Sequence, residues 1–167
     1  MKIHLGCGKS RRDGYIGIDI ATFDSDTIRH DLNKFPYPFK ENSISEVLMS
    51  NVLEHLPNTI RVMEEIWRIC IDGAIVNISV PYYNAVGAFQ DPTHITFFTE
   101  NTFDYFTVDG DSTLSCYNYY TTARYKKISI RPMQRGVLDM LPDKLQWFLA
   151  HHFATVHGLE IKLSVVK

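Results

Sequence analysis

Two short apolar runs near the start of the chain, Ile3–Leu5 and Tyr15–Ile20, are separated by nine residues, and that spacing limits what the sequence can fold into. Both runs suit strands, yet a parallel crossover that carries a helix needs about a dozen residues. The link therefore has room for a turn or a single helical turn, and no more. It begins Gly6-Cys7-Gly8, continues Lys9-Ser10-Arg11-Arg12, and lacks the third glycine of a G-x-G-x-x-G pattern. A pyrophosphate resting on a helix N-terminus, as dinucleotides require, is disfavoured for both reasons. A nucleoside without phosphates is compatible. Glycines at the carboxyl end of a strand let the backbone approach a ligand, and an acid after the next strand, here Asp19, can accept from both hydroxyls of a ribose. A lone G-x-G is equally at home in an ordinary turn, so the rest of the chain has to carry the reading.

Beyond Asp19, strands and connectors alternate. "TIRHDL", ending at Leu32, reads as a short third strand, and "FPYPF", Phe35 to Phe39, is kept irregular by its prolines. Ser45–Asn51 reads as a buried strand. Apolar Ile60, Met63, Trp67 and Cys70 or Ile71 predict one stripe of a helix, capped by Asn58 or Thr59 and stopped by Gly73. Ala74–Pro81, "AIVNISVP", is a nearly continuous apolar run, as expected of a strand buried on both faces. The second half predicts a short helix from near Thr99 and an extended strand from Tyr117 to Ile130. A helix over Asp143–Phe153, entered through Pro142, and a terminal strand Leu159–Val166 complete the pattern. This alternation is that of an α/β sheet. The late strands would extend it, one of them antiparallel, in one domain over residues 1–167.

Composition excludes several classes. With 167 residues, 45% hydrophobic and 22% charged residues and a net charge of -2, the chain can bury a real core and shows no basic face for nucleic acid. The one basic cluster, Arg124 to Lys127, reads as a solvated face. Cys7, Cys70 and Cys116 are widely spaced without a C-x-x-C, which argues against a disulfide framework or structural zinc and suits a reducing cytoplasm. No apolar run approaches the roughly 18 residues of a membrane span, and no leader precedes Ile3. A soluble cytoplasmic protein is expected, with no membrane partner.

Four stretches in order, "HLGCG", "GYIGIDI", "HDLNKFPYPFKENSISEVLMSNVLEHL" and "AIVNISVPYY", resemble the class I S-adenosylmethionine-dependent methyltransferases, and within them the methyltransferase type 11 group. The resemblance spans roughly residues 2 to 106 and implies a Rossmann-like, seven-stranded, mostly parallel sheet with an antiparallel C-terminal strand. It implies S-adenosylmethionine as cofactor. Gly6, Cys7 and Gly8 would face its methionine part, Asp19 its ribose, Asp31 and Leu32 its adenine, and Asn51 and Val52 again the methionine side. Three positions depart from the family. His4 stands where many members have an acid near the cofactor's amino group, Ser10 replaces a glycine, and the chain starts at the first strand with a shortened N-terminus. A later segment or a second subunit would then have to cover the site, which makes a homodimer an expectation.

Methyl transfer from a sulfonium needs close approach, exclusion of water and, for a hydroxyl or ammonium acceptor, uptake of a proton. No nucleophilic triad is required. Glu54 and His55 of "LEHL" follow the fourth strand, and Asp91 and His94 of "QDPTHITFFT" follow the fifth, all at the ligand-bearing edge. His55, His94 and Asp91 are the expected catalytic residues, the histidines because their charge changes near neutral pH. With Glu54 these groups have the ligand types of an oxygen/nitrogen metal site. Their spacing matches no dedicated metal motif, and no metal is expected. The aromatics crowding the second half read as core or loop anchors, some of them free to line the substrate side. His151, His152 and His157 read as surface or packing. The expected function is methyl transfer to a small-molecule, possibly sugar-like, acceptor. Two other readings stand beside it: a cofactor-binding or regulatory domain of the same fold without turnover, and a nicotinamide-dependent oxidoreductase, which the short link disfavours.

Overall fold

The computed structural model describes residues 1–10, 12–22, 24–108, 119–134, 136–153 and 155–167. Its frame is one seven-stranded sheet: β1 (Lys2–Leu5), β2 (Ile16–Asp19), β3 (Ile28–Arg29), β4 (Ile44–Ser50), β5 (Cys70–Pro81), β6 (Arg124–Met133) and β7 (Gly158–Val166). The strands lie in the order β3-β2-β1-β4-β5-β7-β6. β1 to β5 pair in parallel, and β7 runs antiparallel to both β5 and β6. This is the mostly parallel Rossmann-like sheet expected from the sequence. The chain moves outward from β1 to β3 and then returns to place β4 on the other side of β1. That reversal opens a crevice beyond the carboxyl ends of β1 and β4, where open α/β sheets bind ligands.

Register shows how the sequence builds the two faces. Ile3 pairs with Val47, Val47 with Val76, and Val76 with Leu163. Leu5, Met49, Ile78 and Ile161 form the next row, and residues directly opposite share a face. All eight side chains are buried. The alternate rows place Lys2, His4, Glu46, Asn77, Lys162 and Arg131 on the other face, which carries a polar trough of ≈ 1020 Å³. β5 is thus buried on one face only, which corrects the doubly buried strand expected from its sequence. Its alternation is in "VNISV" itself: Asn77 and Ser79 are half-buried while Val76, Ile78 and Val80 are buried.

The apolar face is covered by α1 (Thr59–Ile69), which buries Val62, Met63, Ile66 and Ile69 in the same core. Each such side chain contributes about 1.5–3 kcal/mol when fully buried. Asn58 caps the helix by accepting the Arg61 N–H at 3.0 Å. Tyr125 of β6 donates its hydroxyl to Met63 O at 2.6 Å, and Trp67 donates to Val166 O at 2.7 Å, so the last strands are tied to the helix. The helix ends four residues before Gly73, because Cys70 turns extended and pairs with Ile44. Gly73, at φ 73, lies where β5 loops out between the Cys70 and Ile75 pairings, and is a bulge residue rather than a helix stop.

Other expectations hold in outline. No helix lies among the described residues between β1 and β2, and α3 (Asp143–Phe153) has the bounds read from the sequence. The short helix expected from near Thr99 is a 3₁₀ helix over Thr102–Phe106. The strand predicted from Tyr117 has its first two residues outside the described residues. β6 begins at Arg124, after Tyr119 and Tyr120 pack on each other and Thr121 Oγ1 accepts the Ala123 N–H. The basic cluster is solvated only in part: Lys126 is exposed, while Tyr125 is buried, Lys127 pairs with buried Asp104, and Arg124 donates to the Thr121 and Ala123 carbonyls. Arg11 and Cys116 lie outside the described residues. Among those described, no helix is long and apolar enough to cross a membrane.

Candidate functional site

At the crevice, Gly6 has φ 64 and sits against β4's exit: a Cβ there would meet Val52 Cγ2 at 2.3 Å. Gly6 is therefore needed for both its conformation and its close approach. Gly8, at φ 50, has the opposite surroundings, with nothing within 4 Å of a Cβ built on it. Asp19 stands at the end of β2 and organises this loop. Its Oδ2 accepts the Gly8 N–H at 2.8 Å and its Oδ1 accepts the Ala21 N–H at 2.9 Å. A carboxylate has about four acceptor positions, so two remain. Asp31 follows β3 and accepts the Asn33 N–H at 3.0 Å, with Leu32 beside it in the core. Cys7 offers only backbone, because its side chain is buried and its Sγ lies 2.8 Å from where a Gly17 Cβ would be. Burial, then the nearby Asp19 charge, pushes that thiol's pKa up.

Asn51, at φ 51, and Val52 join this loop to a second cavity of ≈ 630 Å³. Its walls come from a 3₁₀ turn (Leu53–His55), the short helix α2 (Val86–Gln90) with its following loop, and the chain entering β7. Glu54, His55, Asp91 and His94 all line it, so the expected groups do come together. The two segments are strapped by backbone: Ile95 and Thr96 both donate to Glu54 O, at 2.9 and 3.1 Å. The His55 and His94 rings meet edge to face at 4.7 Å.

Each ring is oriented through Nδ1. His94 Nδ1 lies 3.1 Å from Ala88 O, an acceptor only, so Nδ1 carries the proton. Thr93 Oγ1 donates to Asp91 Oδ1 at 2.7 Å and must then accept from His55 Nδ1, 2.9 Å away. A neutral ring protonated on Nδ1 in this way leaves Nε2 as a lone pair. Bonds from the Thr93 hydroxyl and amide hold the Asp91 carboxyl below its ordinary pKa. Glu54 is 1% exposed, and among the described residues neither carboxylate oxygen finds a hydrogen-bond partner. Burial raises its pKa, against smaller opposing effects of its own amide and of His55 and His94.

Several contributors went unseen in the sequence. His157, read as surface or packing, lines the cavity beside Thr155 and Val156, because Gly158 pairs with Pro81 and brings the start of β7 to the same edge. His151 and His152 do not line it; they contact Glu100 Oε1 and Phe148 O. Thr93 and Ala88 orient the histidines but carry no motif of their own. His4 lies on the polar trough, buried, with Nδ1 unpartnered.

This arrangement is the class I methyltransferase fold. Residues 15–78 match the family model described as a methyltransferase domain, so the resemblance read from the sequence stands. Solved structures agree in fold at low identity. A chain of the complex between the Haloferax volcanii Trm112 methyltransferase activator and the protein assigned as its methyltransferase is 14% identical, with TM-score 0.64 over 99% of this chain and 82% of that one. An S-adenosylmethionine-dependent methyltransferase from Archaeoglobus fulgidus is 14% identical, with TM-score 0.64 over 98% and 85%. The [4+2]-cyclase SpnF is 12% identical, with TM-score 0.59 over 99% and 74%. No curated protein sequence matches the chain.

Proposed function

We propose that the protein is an S-adenosylmethionine-dependent methyltransferase acting on a small-molecule acceptor. One observation carries the reading: the glycine loop with Asp19 and the cavity with His55, His94 and Asp91 adjoin through Asn51–Val52. The loop suits a nucleoside cofactor, since the space over Gly8 is open and Asp19 keeps two acceptor positions for ribose hydroxyls. Asp31 would accept from an adenine amino group beside Leu32. When bound, S-adenosylmethionine supplies an electrophilic methyl group. The chain's own part is to orient the acceptor and take its proton. The neutral form of a cavity-lining histidine would offer Nε2 for that purpose, and the Asp91–Thr93–His55 relay would steady the imidazolium that forms.

A cavity of ≈ 630 Å³ suits a drug-sized or sugar-sized molecule. Free, buried Cys7 and Cys70 suit a reducing cytoplasm. The homodimer expected from the sequence is carried forward as a proposal, with the open polar face of the sheet as the surface it would use. The second reading, a domain of this fold without methyl transfer, has one observation behind it: the same fold serves a protein named as a [4+2]-cyclase. Transfer of labelled methyl groups to the small-molecule fraction of a cell extract separates the two. Labelling that needs His94 and is lost in His94→Ala supports the enzyme. Cofactor binding without any labelling supports the second reading.

A further inference from the structure

We infer that Glu54, His55 and His94 form a binding site for a divalent transition-metal ion at the floor of the acceptor cavity. One ligand atom from each of the three residues lies within 4.8 Å of the other two. As a carboxylate and two neutral imidazoles they offer lone pairs, and metal binding favours these deprotonated forms. Glu54 presents two carboxylate oxygens with no partner among the described residues at 1% exposure. Both imidazoles engage Nδ1, with Ala88 O and with Thr93 Oγ1, which leaves Nε2 for another ligand. Among the described residues lining the cavity there is neither lysine nor arginine, while Asp91 adds a second carboxylate, with Oδ2 3.9 Å from His94 Nε2. A buried carboxylate without a partner is costly. A buried carboxylate beside two histidines, in a cavity whose described lining has no lysine or arginine, defines a place for a cation.

The surroundings favour a metal over an organic cation. Metal-ligating histidines donate their other ring N–H to a carbonyl or, directly or through a relay, to a carboxylate. His94 does the first through Ala88 O, and His55 does the second through Thr93 and Asp91. Glu54 is too deeply buried for an ammonium that must bring its carbon chain along, whereas an ion reaches it. Two nitrogens and one oxygen are the donor set of borderline divalent ions such as zinc and cobalt, with the open cavity left for further ligands. Tetrahedral ligands at about 2.0–2.1 Å from zinc lie roughly 3.3 Å apart, so the widest pair would close by at most roughly 1.5 Å. His55, half-buried on its 3₁₀ turn, has the room to make that movement.

This departs from the expectation that no metal is held, which rested on sequence spacing alone. Glu54 and His55 are neighbours, and His94 arrives from a distant loop, a pattern no short motif captures. The ion would occupy the same histidine lone pairs that proton uptake would use, so with metal bound the histidines hold the ion and Asp91 is left to take the proton. Only the ion's use rests on the methyl-transfer reading: an acceptor oxygen could occupy an open position on the ion and be held there.

The test uses the full chain, freed of metal with a chelator and titrated with Co²⁺, whose visible absorption reports a nitrogen/oxygen site. Saturation near about one equivalent, displaceable by Zn²⁺, is expected. Affinity should fall by roughly 100-fold or more in Glu54→Gln and in His94→Ala, and stay unchanged in Asp19→Ala and His152→Ala. Glu54→Gln keeps the side chain's shape and removes a buried charge, so it remains decisive if His94→Ala does not fold. Absence of saturable absorption would overturn the site. So would binding indifferent to Glu54→Gln, or binding lost in His152→Ala, which would place the ion on the surface histidines. Loss of S-adenosylhomocysteine binding in Asp19→Ala with Co²⁺ binding retained shows the two readings failing or standing separately.

Discussion

At the residue scale the crevice rests on a few positions whose chemistry is local. Gly6 can hold φ 64 and let Val52 approach, and nothing larger can. Gly6→Ala should cost about 2–4 kcal/mol through strain and overpacking together, measured by urea unfolding. A loss under about 0.5 kcal/mol, the range of an ordinary surface change, would mean that Val52 yields freely. Glu46 gives a pH signature on the open face. Lys2, Tyr15 and Asn77 all donate to its carboxylate, the first two most strongly, and they hold its pKa below the ordinary 4.5. The folded value is the lower one, so its stabilisation is full above pH 4.5 and drains away as pH falls through the folded value. Wild type should lose more stability than Glu46→Gln between neutral pH and that acid range. Parallel curves would show that the three donors contribute nothing. Gly6 and Asp19 were legible in the sequence because each is a strand end with its own turn chemistry, and Asn51 only through the family resemblance. Thr93 was not, since its role exists only once Asp91 and His55 flank it.

Elements were legible where their own periodicity decides them, and not where a neighbour does. α3 has the bounds read from the sequence with its entry through Pro142. α1 starts at its cap but stops early, because β4 offers Cys70 a strand partner that outweighs the helical continuation. The irregular "FPYPF" segment is held by α1 rather than by any repeat of its own. Glu65 accepts the Tyr37 N–H at 2.6 Å and pairs with Arg68 at 2.6 Å, and Arg68 donates on to the Tyr37 and Phe39 carbonyls. Glu65→Ala breaks the centre of this network and leaves a buried amide unpaired. It should cost about 2–3 kcal/mol and expose the segment between β3 and β4 to proteolysis before global unfolding. Unchanged stability and uniform cleavage would show that the prolines alone hold the segment.

For the whole molecule the short link between β1 and β2 is the governing feature. It leaves no room for a crossover helix, so one face of the sheet stays polar while the other carries the core. The sequence told the class of fold through the alternation of strands and turns. It hid the two-layer arrangement, because "AIVNISVP" looks continuous until its asparagine and serine are placed on the open side. It also hid His157 at the cavity, which only the antiparallel return of β7 brings there. Through these differences the ligand-bearing edge is preserved, and on it the central claim rests: the glycine loop and Asp19 hold a nucleoside cofactor. Calorimetric titration of the chain with S-adenosylhomocysteine, beside NAD and an Asp19→Asn variant, tests this most directly. Saturable binding of S-adenosylhomocysteine but not NAD, weakened on the order of 100-fold in the variant, is the predicted result. Binding of NAD instead, or S-adenosylhomocysteine affinity indifferent to Asp19, would contradict the account.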